Sequence, residues 1–272
     1  MKEGLVSVIM PAFNSASFIA EAIESVLLQS YNNIELIIIN DGSTDTTKEI
    51  ILSFSDSRIV YLEQENMGVS MARNQGLKGM KGEYFCFLDS DDVMPTNSIS
   101  SRLEVFTKHN DAVFVGGAQH VFKHKVSNIL KIQEPTFEGV PTEAIAMLDP
   151  SCFINCGTWL IRRSDNELRY FPQGWTHLED ACFFLRISHW GMHYSTASPA
   201  QLYRKHEGSA MWNLEGLADG YLRYIKIALP HLSISKGLVF KLKVIKIMSL
   251  SFLSMRQFRQ IIKWNLRYII AK

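Results

Sequence analysis

The chain has 272 residues, 47% hydrophobic and 20% charged, with 28 Lys and Arg against 27 Asp and Glu. That length allows one large domain, or one domain with an appendage, and an aromatic content of 11% excludes intrinsic disorder. Four cysteines (Cys86, Cys152, Cys156 and Cys182), none in a Cys-x-x-Cys pair, exclude a disulfide scaffold and a zinc knuckle and point to free thiols in a reducing compartment.

The first hundred residues alternate short apolar runs with helical patterns, which predicts a parallel sheet. Leu5–Met10 reads as a strand stopped by Pro11, and Phe18, Ile19, Ala22, Ile23, Val26 and Leu27 follow at helical spacing. Ile34–Ile39 is a second strand, ending at Asn40-Asp41-Gly42, after which Ser43-Thr44-Asp45 supplies helix-capping chemistry for a helix to about Phe54. Arg58–Leu62 is a third strand, Val69–Leu77 a helix, and Tyr84–Leu88 a strand buried on both faces that runs into Asp89-Ser90-Asp91-Asp92. Further on, the pattern predicts a helix near 97–109, a strand Asp111–Gln119, a hairpin within 120–133, strands in 151–163 and 192–204, and a helix from about Leu178 to Trp190.

No apolar run reaches the ~18–20 residues that span a bilayer. The N-terminus enters its first strand directly, without the apolar stretch and small-residue cleavage site of a signal peptide, so a cytosolic protein is expected. Charge is unevenly spread. Residues 1–220 carry a net −10, whereas 221–272 carry 11 Lys and Arg and no carboxylate. A segment of that kind points to a polyanionic partner. At helical pitch Arg256, Arg259, Gln260, Lys263 and Arg267 oppose Phe258, Ile261, Ile262, Leu266 and Ile269, with Trp264 and Tyr268 near the boundary. Lys241, Lys243 and Lys246 among apolar neighbours repeat the theme less cleanly. This pattern favours an anionic membrane surface over nucleic acid; the other reading is a helix whose apolar stripe packs on the body.

Ligands of open parallel sheets bind beyond the C-terminal ends of the strands, where three polar clusters fall: Pro11-Ala12-Phe13-Asn14, Asn40-Asp41-Gly42-Ser43 and Asp89-Ser90-Asp91-Asp92. Three carboxylates within four residues are costly unless a cation neutralises them, and hard oxygens favour Mg²⁺ or Mn²⁺. An Asp-rich turn capping the next helix is the alternative, and the residues alone leave both open.

These clusters, together with Gly68-Val69-Ser70-Met71-Ala72-Arg73-Asn74-Gln75-Gly76, occur in an order and at a spacing that closely resemble the family 2 glycosyltransferases of GT-A fold. The resemblance is strong over residues 4–120, moderate to about 210 and absent beyond. It implies an α/β catalytic domain over 1–215 with a mostly parallel, Rossmann-like sheet, followed by a basic helical extension over 216–272. It further implies that Asp41 bonds the donor's nucleobase beside Pro11, Ala12 and Asn14, with Arg73 near the nucleotide. Asp89 and Ser90 would lie towards the donor, and Asp91 or Asp92 on a Mn²⁺ or Mg²⁺ that bridges the diphosphate. His177-Leu178-Glu179-Asp180 resembles the family's Glu-Asp motif, which makes Asp180 the catalytic base of an inverting transfer. Tyr203-Arg204-Lys205-His206 resembles a segment that folds over the donor, with His206 on the diphosphate or the metal.

Gln201-Leu202-Tyr203-Arg204-Lys205 lacks the Trp of the processive synthases' Gln-x-x-Arg-Trp, which favours transfer of a single sugar. The reading is therefore a transferase that moves a sugar, most simply from a UDP-sugar, to a lipid-linked glycan acceptor at the inner face of the cell membrane. A nucleotidyl or phosphoryl transferase needs a Gly-rich loop after the first strand, where Pro11–Asn14 has no glycine; an NAD-dependent dehydrogenase fails the same way, since Gly76-x-x-Gly79-x-x-Gly82 precedes a strand instead of opening a helix. A catalytically inactive nucleotide-binding scaffold is the remaining alternative. Cys152 and Cys156 read as packing residues, while Trp159 and Trp175 suit either an acceptor pocket or the core.

Overall fold

The computed structural model describes residues 2–152, 155–164, 170–206 and 213–254. Four parallel strands, β1 (Lys2–Ala12), β2 (Ile34–Asp41), β3 (Ile59–Gln64) and β4 (Gly82–Phe87), lie in the order β3-β2-β1-β4. They are linked through helices α1 (Ile19–Leu27), α2 (Thr47–Leu52) and α3 (Val69–Gly79). Every residue of β2 is buried, as a strand covered on both faces requires. Parallel crossovers bring the C-terminal ends of β1, β2 and β4 to one edge, with their polar clusters side by side.

Alternate residues of each strand feed different cores, because successive side chains point to opposite faces. Val6, Val8, Met10, Leu36, Ile38 and Cys86 pack with α1 and α4 (Ser98–Lys108). Ile9, Ile37, Ile39, Phe85 and Phe87 pack on the other face, under α3 and the later helices. Gly76 is the contact point of α3 on β1: a Cβ there would come within 2.4 Å of Ile9 Cγ2. The glycine serves close helix–strand packing, so the spaced glycines that follow need no phosphate to explain them.

The second half extends the sheet. β5 (Ala112–Lys123) forms a hairpin with β6 (Lys125–Gln133) across His124, whose φ is 63°. The expected hairpin is therefore present, but its first strand is the end of a longer β5. The strand expected in 151–163 is shortened to β7 (Trp159–Arg162), inserted antiparallel between β4 and β5 behind a 3-10 turn at Cys156–Thr158. β8 (Met192–Arg204) pairs in parallel with β5. The expected Leu178–Trp190 helix is α6 (Glu179–Ile187) followed by a 3-10 turn. A short α5 (Thr142–Ala146) was not foreseen, since five residues give no readable period. All four cysteines are free and buried. Trp159 belongs to the core, between Phe114 and Phe184 at ring distances of 5.2 and 4.8 Å. Trp175 is half-buried, with the Arg223 guanidinium 5.9 Å from its ring.

Past residue 213, α7 (Leu214–Ala228) and α8 (Ile234–Ser254) share the core of α6 through Leu217, Tyr224, Phe240, Val244 and Met248. Gly216 and Gly220 let α7 close on His177, where a Cβ at either would approach within 3 Å. The described part of the basic extension thus packs on the body. α8 also has a second apolar face, turned outward and built from Ile234, Leu238, Val239, Leu242, Leu250 and Leu253, with Ile234 96% exposed. Among the described residues no helix is long and apolar enough to cross a membrane. The amphipathic pattern of 256–269 lies outside the described residues.

Candidate active site

The three strand-end loops are tied into one floor. Asn14, at φ 48°, donates its N–H to Ser43 Oγ at 3.0 Å and accepts from the Thr44 N–H at 2.8 Å. Ser15 is the hub: its N–H donates to Thr47 Oγ1 at 2.8 Å, and its hydroxyl lies 2.6 Å from Ser90 Oγ. Asp45, just before the Thr46 N-cap of α2, accepts from the Thr47 N–H at 3.0 Å and from the Ala16 N–H at 3.1 Å. Pro11 and Ala12 are buried at the end of β1. Ser15 has no signature in the sequence beyond a polar residue after the first strand, and its role shows only when the loops meet.

Asp41 is buried and holds the approach to α3. Its Oδ1 accepts from Gln64 Nε2 at 2.7 Å and the Met67 N–H at 2.9 Å, and Oδ2 accepts from the Gly68 N–H at 2.8 Å. A carboxylate has about four acceptor positions, so Oδ2 retains one for a further donor.

Arg73 spans the site. It rises from α3 with a side chain 5% exposed, donating NH1 to Glu179 Oε1 at 2.9 Å and NH2 to Asp89 Oδ1 at 2.8 Å. Its guanidinium stands 5.3 Å from the Phe171 ring centroid. The expected alternative, an ion pair on the helix surface, does not describe a buried arginine that joins the end of β4 to the start of α6. The sequence motif contained Glu179 but gave no sign of this partner, which lies 106 residues away.

Asp180 follows Glu179 in the first turn of α6, entered through Leu178 in the left-handed region at φ 59°. Its Oδ1 accepts from the Ala181 N–H at 2.7 Å. Burial, and next the neighbouring Glu179 charge, push the Asp180 carboxyl up to about 7, against the opposing pull of Arg73. Cys156, Tyr221 and Tyr224 all have raised proton affinities, chiefly from burial, to which the Asp180 charge adds. All three groups feel the Asp180 charge, and the two tyrosines come from α7, beyond the reach of the sequence motifs.

The acidic loop divides by function of position. Asp89 and Asp91 are both partly exposed, their side chains 40% and 35% accessible. Asp91 lies 2.8 Å from His206 Nε2, so two segments 115 residues apart meet. Burial and the nearby Asp89 raise the Asp91 pKa, against His206. Asp92 turns the other way and is enclosed, accepting from Gln201 Nε2 at 2.5 Å and from the Arg204 N–H at 2.8 Å. Of the three metal candidates, the structure brings Asp91 and His206 together and directs Asp92 into the protein. Among the described residues no group of three His, Cys, Asp or Glu side chains is arranged to hold a metal.

A mostly parallel sheet covered on both faces, with acidic strand ends facing a carboxylate at a helix start, defines a GT-A-type protein. Residues 7–170 match the family model described as Glycosyl transferase family 2, and the chain belongs to that family. An Escherichia coli protein, "UDP-Glc:alpha-D-GlcNAc-diphosphoundecaprenol beta-1,3-glucosyltransferase WfgD", is 34% identical over 189 residues, 69% of this chain and 71% of WfgD. An uncharacterized glycosyltransferase of Rickettsia prowazekii is 48% identical over 104 residues, 38% of this chain but only 32% of that protein's length. Among solved structures, Staphylococcus aureus TarS 1–349 in complex with UDP-GlcNAc superposes with a TM-score of 0.70 at 18% identity, covering 98% of this chain and 81% of TarS 1–349. Mannosyltransferase PcManGT from Pyrobaculum calidifontis, in complex with GDP-Man and Mn²⁺, gives 0.58 at 16% identity, covering 98% and 85%. These structural likenesses establish the GT-A fold.

Proposed function

We propose that this protein transfers a single sugar from a nucleotide-diphosphate donor to a glycan hydroxyl with inversion, and that Asp180 is the base. The observation that carries this reading is the Asp180 carboxyl, lifted to about 7 and joined through Glu179 and Arg73 to the acidic donor-side loop. A base poised near neutrality is ionised enough to accept a proton and basic enough to pull it. As the acceptor oxygen bonds to the anomeric carbon, its proton passes to Asp180, and the bond to the diphosphate breaks with its electron pair leaving on phosphate oxygen. A single base on the face opposite the leaving group gives inversion. Asp41 supports the nucleobase through its remaining acceptor position, beside Pro11, Ala12 and Asn14.

The donor set fits a divalent cation: a carboxylate and an imidazole in contact, with Asp89 adding negative charge beside Asp91. Two protein ligands suit Mn²⁺ or Mg²⁺ when diphosphate oxygens and water supply the rest. An ion held there would supply positive charge against the diphosphate. Asp91 and His206 would hold it. The UDP-glucose donor and diphosphoundecaprenol acceptor for which WfgD is named, with the UDP-GlcNAc on TarS, support a UDP-sugar donor and a lipid-linked acceptor. The test is nucleotide release from UDP-, GDP- and dTDP-sugars with a lipid-linked acceptor, with Mn²⁺ or EDTA, for wild type and Asp91→Ala. Release from one donor, lost in EDTA and in the variant, is expected; absence of donor binding and turnover under every condition overturns the reading.

A lipid-linked acceptor requires the enzyme at a surface. The outward apolar face of α8, within a segment of 11 Lys and Arg and no carboxylate, suits an anionic bilayer at the cytoplasmic side. The protein is expected to sediment with phosphatidylglycerol vesicles and not with phosphatidylcholine vesicles. Leu238→Glu with Leu242→Glu should weaken that binding at least tenfold; unchanged sedimentation refutes the placement.

A further inference from the structure

The loop bearing Asp89–Asp92 is fastened to the end of β8 by bonds that do not face the donor side. Val93 and Leu202 exchange both backbone bonds, at 3.1 and 2.9 Å. One residue earlier, Asp92 is 1% exposed and receives the Arg204 N–H and the Gln201 amide. Gln201 is fixed in turn, its Oε1 accepting from Gln119 Nε2 at 3.1 Å. Arg204 returns the contact by donating Nε to the Asp91 carbonyl at 2.7 Å. The same guanidinium pairs with Glu21 on α1 and lies 5.0 and 4.6 Å from the ring centroids of Phe18 and Phe122. Phe18 also packs on the ring of His206, 4.9 Å away.

Arg204 is therefore spent. A guanidinium enclosed by two rings, a carbonyl and a glutamate does not reach for a diphosphate, although its position two residues before His206 invites that reading. Asp92 is spent in the same way, with both oxygens turned inward. What the two residues share is position: Asp92 holds the backbone of Arg204, and Arg204 holds the backbone of Asp91. Between them they fix where the chain leaves β8 and so where His206 meets Asp91.

We propose that Asp92 and Arg204 are positioning residues that set the separation of the Asp91 and His206 ligand atoms, and that affinity for the divalent cation depends on both although neither touches it. This rests on the reading of Asp91 and His206 as the cation's ligands. Outer hydrogen-bond partners of metal ligands commonly change affinity by about 10–100-fold when removed, because loosely held ligands must be ordered at the moment of binding.

The test is Mn²⁺ titration of the full chain with saturating UDP or GDP, read by electron paramagnetic resonance of free Mn²⁺, with thermal unfolding in parallel. The proteins are wild type, Asp92→Ala, Arg204→Lys and Glu21→Gln. Lysine keeps the charge but loses the fork that reaches the Asp91 carbonyl and Glu21 together. Asp92→Ala and Arg204→Lys are expected to weaken Mn²⁺ about 10–100-fold, and Glu21→Gln about 2–5-fold, with most of kcat recovered at saturating Mn²⁺. Should Asp92→Ala fail to fold, Arg204→Lys and the half-exposed Glu21→Gln decide the matter. Folded variants that bind Mn²⁺ within twofold of wild type overturn the positioning role alone. A wild type that binds no Mn²⁺ with either nucleotide overturns the metal reading and this proposal with it.

Discussion

Asp180→Asn is expected to lower kcat by about 10³-fold while leaving donor affinity within about twofold of wild type. The size follows from the usual worth of a positioned general base, about 10²–10⁴-fold; asparagine keeps the shape and removes the proton acceptor. The pH profile identifies the group independently. Burial and Glu179 hold the Asp180 carboxyl at about 7, and only the ionised form accepts a proton. Log kcat/KM should therefore fall with unit slope below about pH 7. Glu179→Gln removes a negative neighbour, lowers the Asp180 pKa and moves this acid limb to lower pH. Stability should move in the opposite sense to activity. An aspartate raised above its ordinary value of 3.8 binds its proton more tightly folded than unfolded, so its contribution is full below about pH 4 and is lost as pH rises through about 7. Asp180→Asn escapes that loss, and its Tm should equal or exceed that of wild type at pH 8, with the gap closing towards pH 4. A variant retaining a tenth of wild-type kcat, or an acid limb that Glu179→Gln does not shift, removes Asp180 from the role of base.

How much of this was legible in the sequence depends on whether a feature is local. β1, β2 and β4 were readable because strands buried on both faces are continuous apolar runs, as in Ile34–Ile39, and because each ends in a polar cluster. α6 was readable from its own period. The antiparallel insertion of β7 between β4 and β5 was not, since apolar alternation tells which face is buried and not which strand lies beside it. The same limit governs the site. Asp91 and Asp92 are adjacent and chemically identical in the sequence, yet one meets His206 and the other is enclosed by Gln201 and Arg204. Nothing local distinguishes them; the end of β8 does. Tyr221 and Tyr224, which feel the Asp180 charge, lie on α7, within the stretch where the sequence shows mainly a loss of acidic residues. Composition registered the unusual charge of 221–272 but not that α8 has two apolar faces, one already occupied by the core.

Arg73→Met should destabilise the protein by about 3–5 kcal/mol, the usual cost of removing one partner from a buried ion pair. At roughly 2–4 °C per kcal/mol for a chain of this size class, Tm should fall by about 6–20 °C. The cost is chiefly the stranded Glu179, whose side chain is 11% exposed, because Asp89 at 40% can turn to water. Arg73→Met with Glu179→Gln removes that buried charge, so the double variant should be more stable than Arg73→Met alone, which a double-mutant cycle measures directly. The same substitution tests the electrostatics of the base. Arg73 lowers the Asp180 pKa, so its loss should move the acid limb of kcat/KM to higher pH, opposite to the shift from Glu179→Gln. Opposed shifts from two residues that bond each other are not expected of a general loosening of the fold, which would move both variants the same way. A Tm within 2 °C of wild type, or acid limbs that shift in the same direction, would show that Arg73 does not couple the donor-side loop to Asp180. With both shifts as expected, one side chain links the charge state of the base to the loop that faces the donor, and the two halves of the site act as a unit.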